Sequence, residues 1–118
     1  MPKATVLIVE DEPLIAFDLQ DSLRDLGYAA VAAISVAEAM MILDTQKIDF
    51  AVLDYRVGQQ DTGPIAERLI AASIPFAVCS AAEVDFARSI FREAPMLGKP
   101  YRVADVQSAI EHALRSDA

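Results

Sequence analysis

The hydrophobic pattern of this chain changes period again and again, and that alternation restricts the fold more than any single motif. Short apolar runs, Val6-Leu7-Ile8-Val9, Ala51-Val52-Leu53, Phe76-Ala77-Val78-Cys79 and Met96-Leu97, are separated by longer stretches whose apolar residues recur every three or four positions. Strands place alternate residues on opposite faces, whereas helices return to one face about every 3.6 residues. Apolar runs without polar alternation suit strands covered on both sides, as in parallel sheets flanked by helices. Five strand–helix units with short connections therefore predict an α/β fold. The expected form is a doubly wound five-stranded parallel sheet, (βα)5, in the flavodoxin-like order 2-1-3-4-5.

The units can be placed individually. The first strand is read over residues 4–9, and a helix begins near Pro13, a residue favoured in the first helical turn. Ile15, Leu19, Leu23 and Leu26 form its expected inner face, and Gly27 ends it. Residues 28–34 are apolar and read as a second strand covered on both faces. Ser35 and Glu38 have capping-box spacing and open a second helix that buries Val36, Met40 and Leu43. The third strand is read over 50–53, followed by a loop over 58–63. Pro64 begins the third helix, with Ile65 and Leu69 inward. A fourth strand (76–79), a fourth helix (84–91), a short fifth strand at 96–97 and a fifth helix complete the pattern. The last helix carries Val103, Val106, Ile110 and Leu114 on one face.

The strand ends hold the chemistry. The first run ends in Glu10-Asp11, the third in Asp54, the fourth in Ser80 and the fifth in Gly98-Lys99-Pro100. In an open parallel sheet, the C-terminal strand ends share one edge, where ligands bind. Alone, Glu10 and Asp11 would merely favour a helix N-terminus, Ser80 would be a cap, and Lys99-Pro100 a turn. Together they propose one pocket. Three clustered carboxylates repel, so either a cation binds or at least one carboxyl pKa rises. Mg²⁺ takes oxygen ligands and keeps several waters, so a few carboxylates and a main-chain carbonyl suffice.

Composition narrows the function classes. The chain has 118 residues, 54% apolar, which fits one domain over 1–118 with a genuine core. Its formal net charge is −8, and its ten Lys and Arg are dispersed. No basic cluster is present for nucleic-acid phosphates or an anionic membrane surface. Cys79 is the sole cysteine, which excludes an internal disulfide. No apolar stretch approaches the roughly 18 residues of a membrane span, and residues 1–4 lack a signal-peptide pattern. A cytoplasmic protein is the expectation.

In order and approximate spacing, the acid pair, mid-chain Asp, Ser and Lys-Pro resemble the receiver domain of bacterial two-component response regulators. The resemblance spans almost the whole chain. It implies that Asp54 accepts a phosphoryl group, that Asp11 and Asp54 ligate Mg²⁺ directly, and that Glu10 acts through water. It also implies a metal ligand in the Arg56 carbonyl. Ser80 would donate to a phosphoryl oxygen, and Lys99 would pair with Asp54 and then with the acyl phosphate. A cis Lys99–Pro100 peptide is typical of the family.

The implied partners are a sensor histidine kinase or phosphotransfer protein and a downstream protein target. The face formed by the fourth helix, fifth strand and fifth helix would be the docking surface, which could also serve a second copy in a homodimer. Such a protein is not an enzyme beyond assisting its own phosphorylation and dephosphorylation. The readout is expected to run through Ser80 and residues 81–85 to Phe86 and Ile90.

One departure bears on signalling. Most receivers carry Phe or Tyr three residues before the Lys, where this chain has Met96. The stretch from Pro75 to Ala82 resembles a divergent form of the FAT GUY receiver subclass, which also lacks that aromatic. Pro75 and Phe76 match, Ser80 replaces Thr, and Ala81 and Ala82 do not match. The alternative function is a phosphorylation-independent, receiver-like interaction domain, favoured by the missing aromatic and opposed by the intact polar set. A haloacid-dehalogenase-like Mg²⁺ phosphohydrolase would want a second Asp where Arg56 stands. A flavin site would want a phosphate loop after the first strand.

Overall fold

The computed structural model describes residues 3–57, 60–80, 96–98 and 102–116. Its elements run β1 (Thr5–Val9), α1 (Pro13–Asp25), β2 (Ala29–Ala33), α2 (Val36–Thr45), β3 (Phe50–Asp54), β4 (Arg56–Val57), β5 (Gln60–Asp61), α3 (Gly63–Ala71), β6 (Phe76–Ser80), β7 (Met96–Gly98) and α4 (Val103–Ser116). One sheet takes the order β2-β1-β3-β6-β7, and all its neighbours are parallel. Counted among themselves, these five strands give 2-1-3-4-5, as the period of the pattern predicted.

Alternation along the strands explains why two layers of helix are needed. Val6, Ile8, Phe50, Val52, Ala77 and Cys79 face one side with Leu19 and Leu23 of α1 and Val106 and Ile110 of α4. Leu7, Val9, Ala51, Leu53 and Val78 face the other with Ala39 and Ile42 of α2 and Ile65, Ala66 and Leu69 of α3. Each fully buried Leu, Ile, Val or Phe contributes roughly 1.5–3 kcal/mol of transfer free energy. A central strand such as β3 is buried over Phe50–Leu53, so no register slip can keep both clusters filled.

Several local expectations are corrected. On α1 the buried positions are Ala16, Leu19 and Leu23, whereas Ile15 is 41% exposed. Leu19 and Leu23 keep their expected places, and a small Ala16 packs against the sheet where Ile15 was expected. On α2 the face is turned by one residue toward the N-terminus, making Ala39 and Ile42 the buried pair and leaving Val36, Met40 and Leu43 half-buried at its margin. The capping box is modified: Ser35 Oγ accepts from the Glu38 N–H at 3.1 Å, but Glu38 Oε1 accepts from Ile34 rather than Ser35.

β2 is an edge strand, so Ala29, Val31 and Ala32 are only half-buried. It is not covered throughout as its apolar run suggested. An antiparallel pair β4–β5 follows β3, with β4 before and β5 within the loop expected over 58–63. The helix over 84–91, the readout segment 81–85 with Phe86 and Ile90, and the Lys99–Pro100 peptide lie outside the described residues. Gly27 does close α1 as expected, with φ +98°. Its N–H bonds Arg24 O, and its carbonyl accepts from Lys3 N–H, both at 3.0 Å. Among the described residues no helix is long and apolar enough to cross a membrane.

Candidate functional site

The sheet order reverses at β1. The chain steps outward from β1 to β2, then returns across it to β3, which leaves a crevice at the C-terminal ends of β1 and β3. These ends are level, with Val9 beside Leu53 in the ladder. The residues that follow in each strand therefore meet at the crevice.

Glu10 is placed by an extension of the ladder. Its N–H donates to the Ala33 carbonyl at 3.0 Å, one residue past the end of β1. That hydrogen bond keeps Glu10 in strand alignment, so it is buried, with 1% exposure. The chain then turns, and Asp11 is exposed. Adjacent acids would point to opposite faces within a strand. At the strand end they reach one edge.

Asp54 is the last residue of β3 and is half-buried. Its neighbour in the ladder is Cys79, and the next N–H, that of Tyr55, donates to Cys79 O at 2.9 Å. Another hold on Asp54 comes from Thr62, which is fully buried. Thr62 Oγ1 lies 2.8 Å from Asp54 O and 3.2 Å from Tyr55 O, while the Thr62 N–H donates to Tyr55 O at 3.1 Å. Thr62 is the N-cap residue of α3, yet its side chain makes no cap hydrogen bond. The hydroxyl is turned back to fasten the acid-bearing turn. Sequence reasoning missed this role because Thr before Gly63-Pro64 reads as an ordinary helix start.

One carboxylate oxygen from each of Glu10, Asp11 and Asp54 lies within 4.8 Å of the other two. At that separation two full charges repel by roughly 3 kcal/mol with an effective dielectric near 20, and by less for exposed Asp11. The donor set is all carboxylate oxygen, graded from buried to exposed. Hard oxygen donors at a solvent-reachable crevice fit a small divalent cation that retains water, such as Mg²⁺.

The other expected members stand as follows. Arg56 is in β4, opposite Asp61 and two residues past Asp54. Ser80 ends β6 opposite Gly98 of β7. This register brings the Ser80 main chain to the C-terminal edge beside the residue that precedes Lys99. The side chains of Arg56, Ser80 and Met96 are not among the described ones, and Lys99 lies outside the described residues. Three of the six expected site residues are thus brought together through their side chains.

Comparison with known proteins agrees with this geometry. A family model described as response regulator receiver domain matches residues 6–111. The transcriptional regulatory protein PdtaR of Mycobacterium tuberculosis is 33% identical over 115 residues, covering 92% of this chain and 56% of that protein. The positive alginate biosynthesis regulatory protein of Pseudomonas aeruginosa is 35% identical over 117 residues, covering 93% and 47%. This chain thus spans about half the length of these relatives.

Among solved structures, SdrG from Sphingomonas melonis Fr1 is 37% identical, with TM-score 0.78 and coverage of 94% of this chain and 96% of SdrG. A response regulator receiver protein from Sinorhizobium medicae is 27% identical, with TM-score 0.85 and coverage of 98% and 97%.

Proposed function

Because the chain belongs to the response regulator receiver family, we propose that it is the phosphoacceptor module of a two-component phosphorelay. Asp54 is the acceptor. A carboxylate oxygen of Asp54 attacks phosphorus of a phosphohistidine on a sensor histidine kinase or phosphotransfer protein. The phosphorus–nitrogen bond breaks, its electron pair leaves with the imidazole, and an aspartyl phosphate remains. The convergence of Glu10, Asp11 and Asp54 within 4.8 Å carries this reading, because anionic carboxylates approach an anionic phosphoryl group only when positive charge is supplied.

Asp11 and Asp54 would hold Mg²⁺ directly, with Glu10 acting through water and the Arg56 carbonyl as main-chain ligand. When bound, the ion supplies the positive charge that screens carboxylates from phosphate. The chain's own groups do the rest. Thr62 fixes the main chain under Asp54, and buried Glu10 sets one wall of the crevice. Ser80 donates to a phosphoryl oxygen and Lys99 pairs with the acyl phosphate. The added charge, about −1.5 to −2 at neutral pH, shifts a protein-docking face that includes β7 and α4. The module works in the cytoplasm and turns over no substrate apart from its own phosphoryl group.

Intact mass after incubation with acetyl phosphate tests this directly. Wild type should gain one phosphate only with Mg²⁺ present, and Asp54→Asn should gain none. A gain independent of Mg²⁺, or one retained in Asp54→Asn, would overturn the assignment.

A further inference from the structure

β2 is an edge strand whose sequence carries none of the usual protections against pairing with another chain. It reads Ala29-Ala30-Val31-Ala32-Ala33, with no charge, no proline and no bulge, and all five residues are in continuous register with β1. Exposed edges of this kind are templates for strand addition. The ladder also fixes which groups point outward. Ala29 N–H donates to Ala4 O and Ala33 O accepts from Glu10 N–H, both toward β1. By alternation, Ala30 and Ala32 aim their main-chain groups at the free edge.

Two side chains of α1 meet those groups. Gln20 Oε1 accepts from the Ala32 N–H at 3.0 Å. Arg24 donates to the Ala30 carbonyl twice, from Nη2 at 2.9 Å and from Nε at 3.2 Å. A parallel strand added outside β2 would make the same two bonds with one residue opposite Val31. Its N–H would go to Ala30 O and its carbonyl to Ala32 N–H. Gln20 and Arg24 are four residues apart, one helical turn, and so lie on the same side of α1.

We propose that Gln20 and Arg24 form an edge guard that imitates one residue of an extra strand and keeps β2 from pairing with β2 of a second copy. A second copy is the relevant occupant because β2 offers an identical, uncharged edge that is self-complementary about a two-fold axis. Pairing about a two-fold axis is antiparallel and would draw on the N–H and carbonyl of both Ala30 and Ala32; the guard already engages Ala30 O and Ala32 N–H. The guard lies on the outer edge of the sheet, away from the crevice between β1 and β3, and does not depend on the proposed phosphorylation.

The test combines residue-resolved amide exchange with sedimentation velocity on wild type, Gln20→Leu, Arg24→Lys and Gln20→Ala/Arg24→Ala. Gln20→Leu keeps most of the side-chain bulk and removes the amide that accepts from Ala32 N–H, so it serves even if the double variant does not fold. In dilute solution, Ala32 should exchange about fivefold faster in Gln20→Leu, the change expected for one lost hydrogen bond. Both Gln20→Leu and the double variant should self-associate more than wild type, and their Ala32 amide should slow again as concentration rises. Arg24→Lys, which keeps a donor for Ala30 O, should behave as wild type. Unchanged Ala32 exchange in Gln20→Leu would overturn the proposal. So would faster exchange without added association, or association that leaves Ala32 at its dilute rate.

Discussion

Replacing Thr62 with Val tests how Asp54 is held. Valine keeps the shape of threonine and deletes only the hydroxyl, so packing around this fully buried position is preserved. The deletion removes the single hydroxyl proton that Asp54 O, at 2.8 Å, and Tyr55 O, at 3.2 Å, share. Tyr55 O keeps the Thr62 N–H at 3.1 Å. A part-buried hydrogen bond of this kind contributes about 0.5–1.5 kcal/mol net, and we expect a loss of about 1 kcal/mol in urea unfolding at unchanged m-value. Thr62→Ser keeps the hydroxyl and should recover most of this loss. With the turn loosened, phosphorylation by acetyl phosphate should slow as well, since small displacements of a reacting group are costly. A Thr62→Val protein within about 0.5 kcal/mol of wild type, the range of an inconsequential substitution, would refute the reasoning.

Other outcomes follow from the same structure. Mg²⁺ should raise the melting temperature of wild type by relieving repulsion among Glu10, Asp11 and Asp54; Asp11→Ala should respond less, and an equal response would remove Asp11 from the metal site. Tyr28 has its pKa raised above 10.0, first by burial and then by Glu111, against a lowering hydrogen bond from Gln107. The unfolded chain therefore releases this proton first, so Tyr28 contributes stability that is present below pH 10 and lost as pH rises through its folded value. Alkaline urea melts should show a shallower decline in Tyr28→Phe; an identical decline would contradict this. Gly27→Ala forces a side chain into φ +98° with its Cβ about 3.4 Å from Lys3 Cε, and should cost about 1–2 kcal/mol by chemical denaturation. No measurable loss would show that the turn rearranges freely.

The layer architecture was legible because buried parallel strands and amphipathic helices leave different periods in the sequence. Leu19, Leu23, Val106 and Ile110 were read as inward-facing and are buried. Helix faces were misjudged by one position where a small residue takes the close approach: Ala16 displaced Ile15, and Ala39 displaced its larger neighbours. Hydropathy ranks residues by size and apolarity, whereas close packing against a sheet selects for fit.

The edge position of β2 was not legible, since its alanines satisfy a half-covered strand as readily as a covered one. At the site, Glu10, Asp11 and Asp54 were found because strand-end acids have few other reasons to recur in register. Thr62 was not, because its function depends on where its hydroxyl turns. The Gln20–Arg24 pair was invisible for the same reason: its partners are main-chain atoms of another element, which no residue pattern records.

The central claim is that phosphate is carried by Asp54 as an acyl phosphate. Borohydride reduces an acyl phosphate of aspartate to homoserine, which peptide mass mapping can locate. After treatment with acetyl phosphate and Mg²⁺, the account predicts homoserine at position 54, absent when Mg²⁺ is withheld. Homoserine at position 11 instead, or none at any position despite a phosphate gain in intact mass, would contradict it.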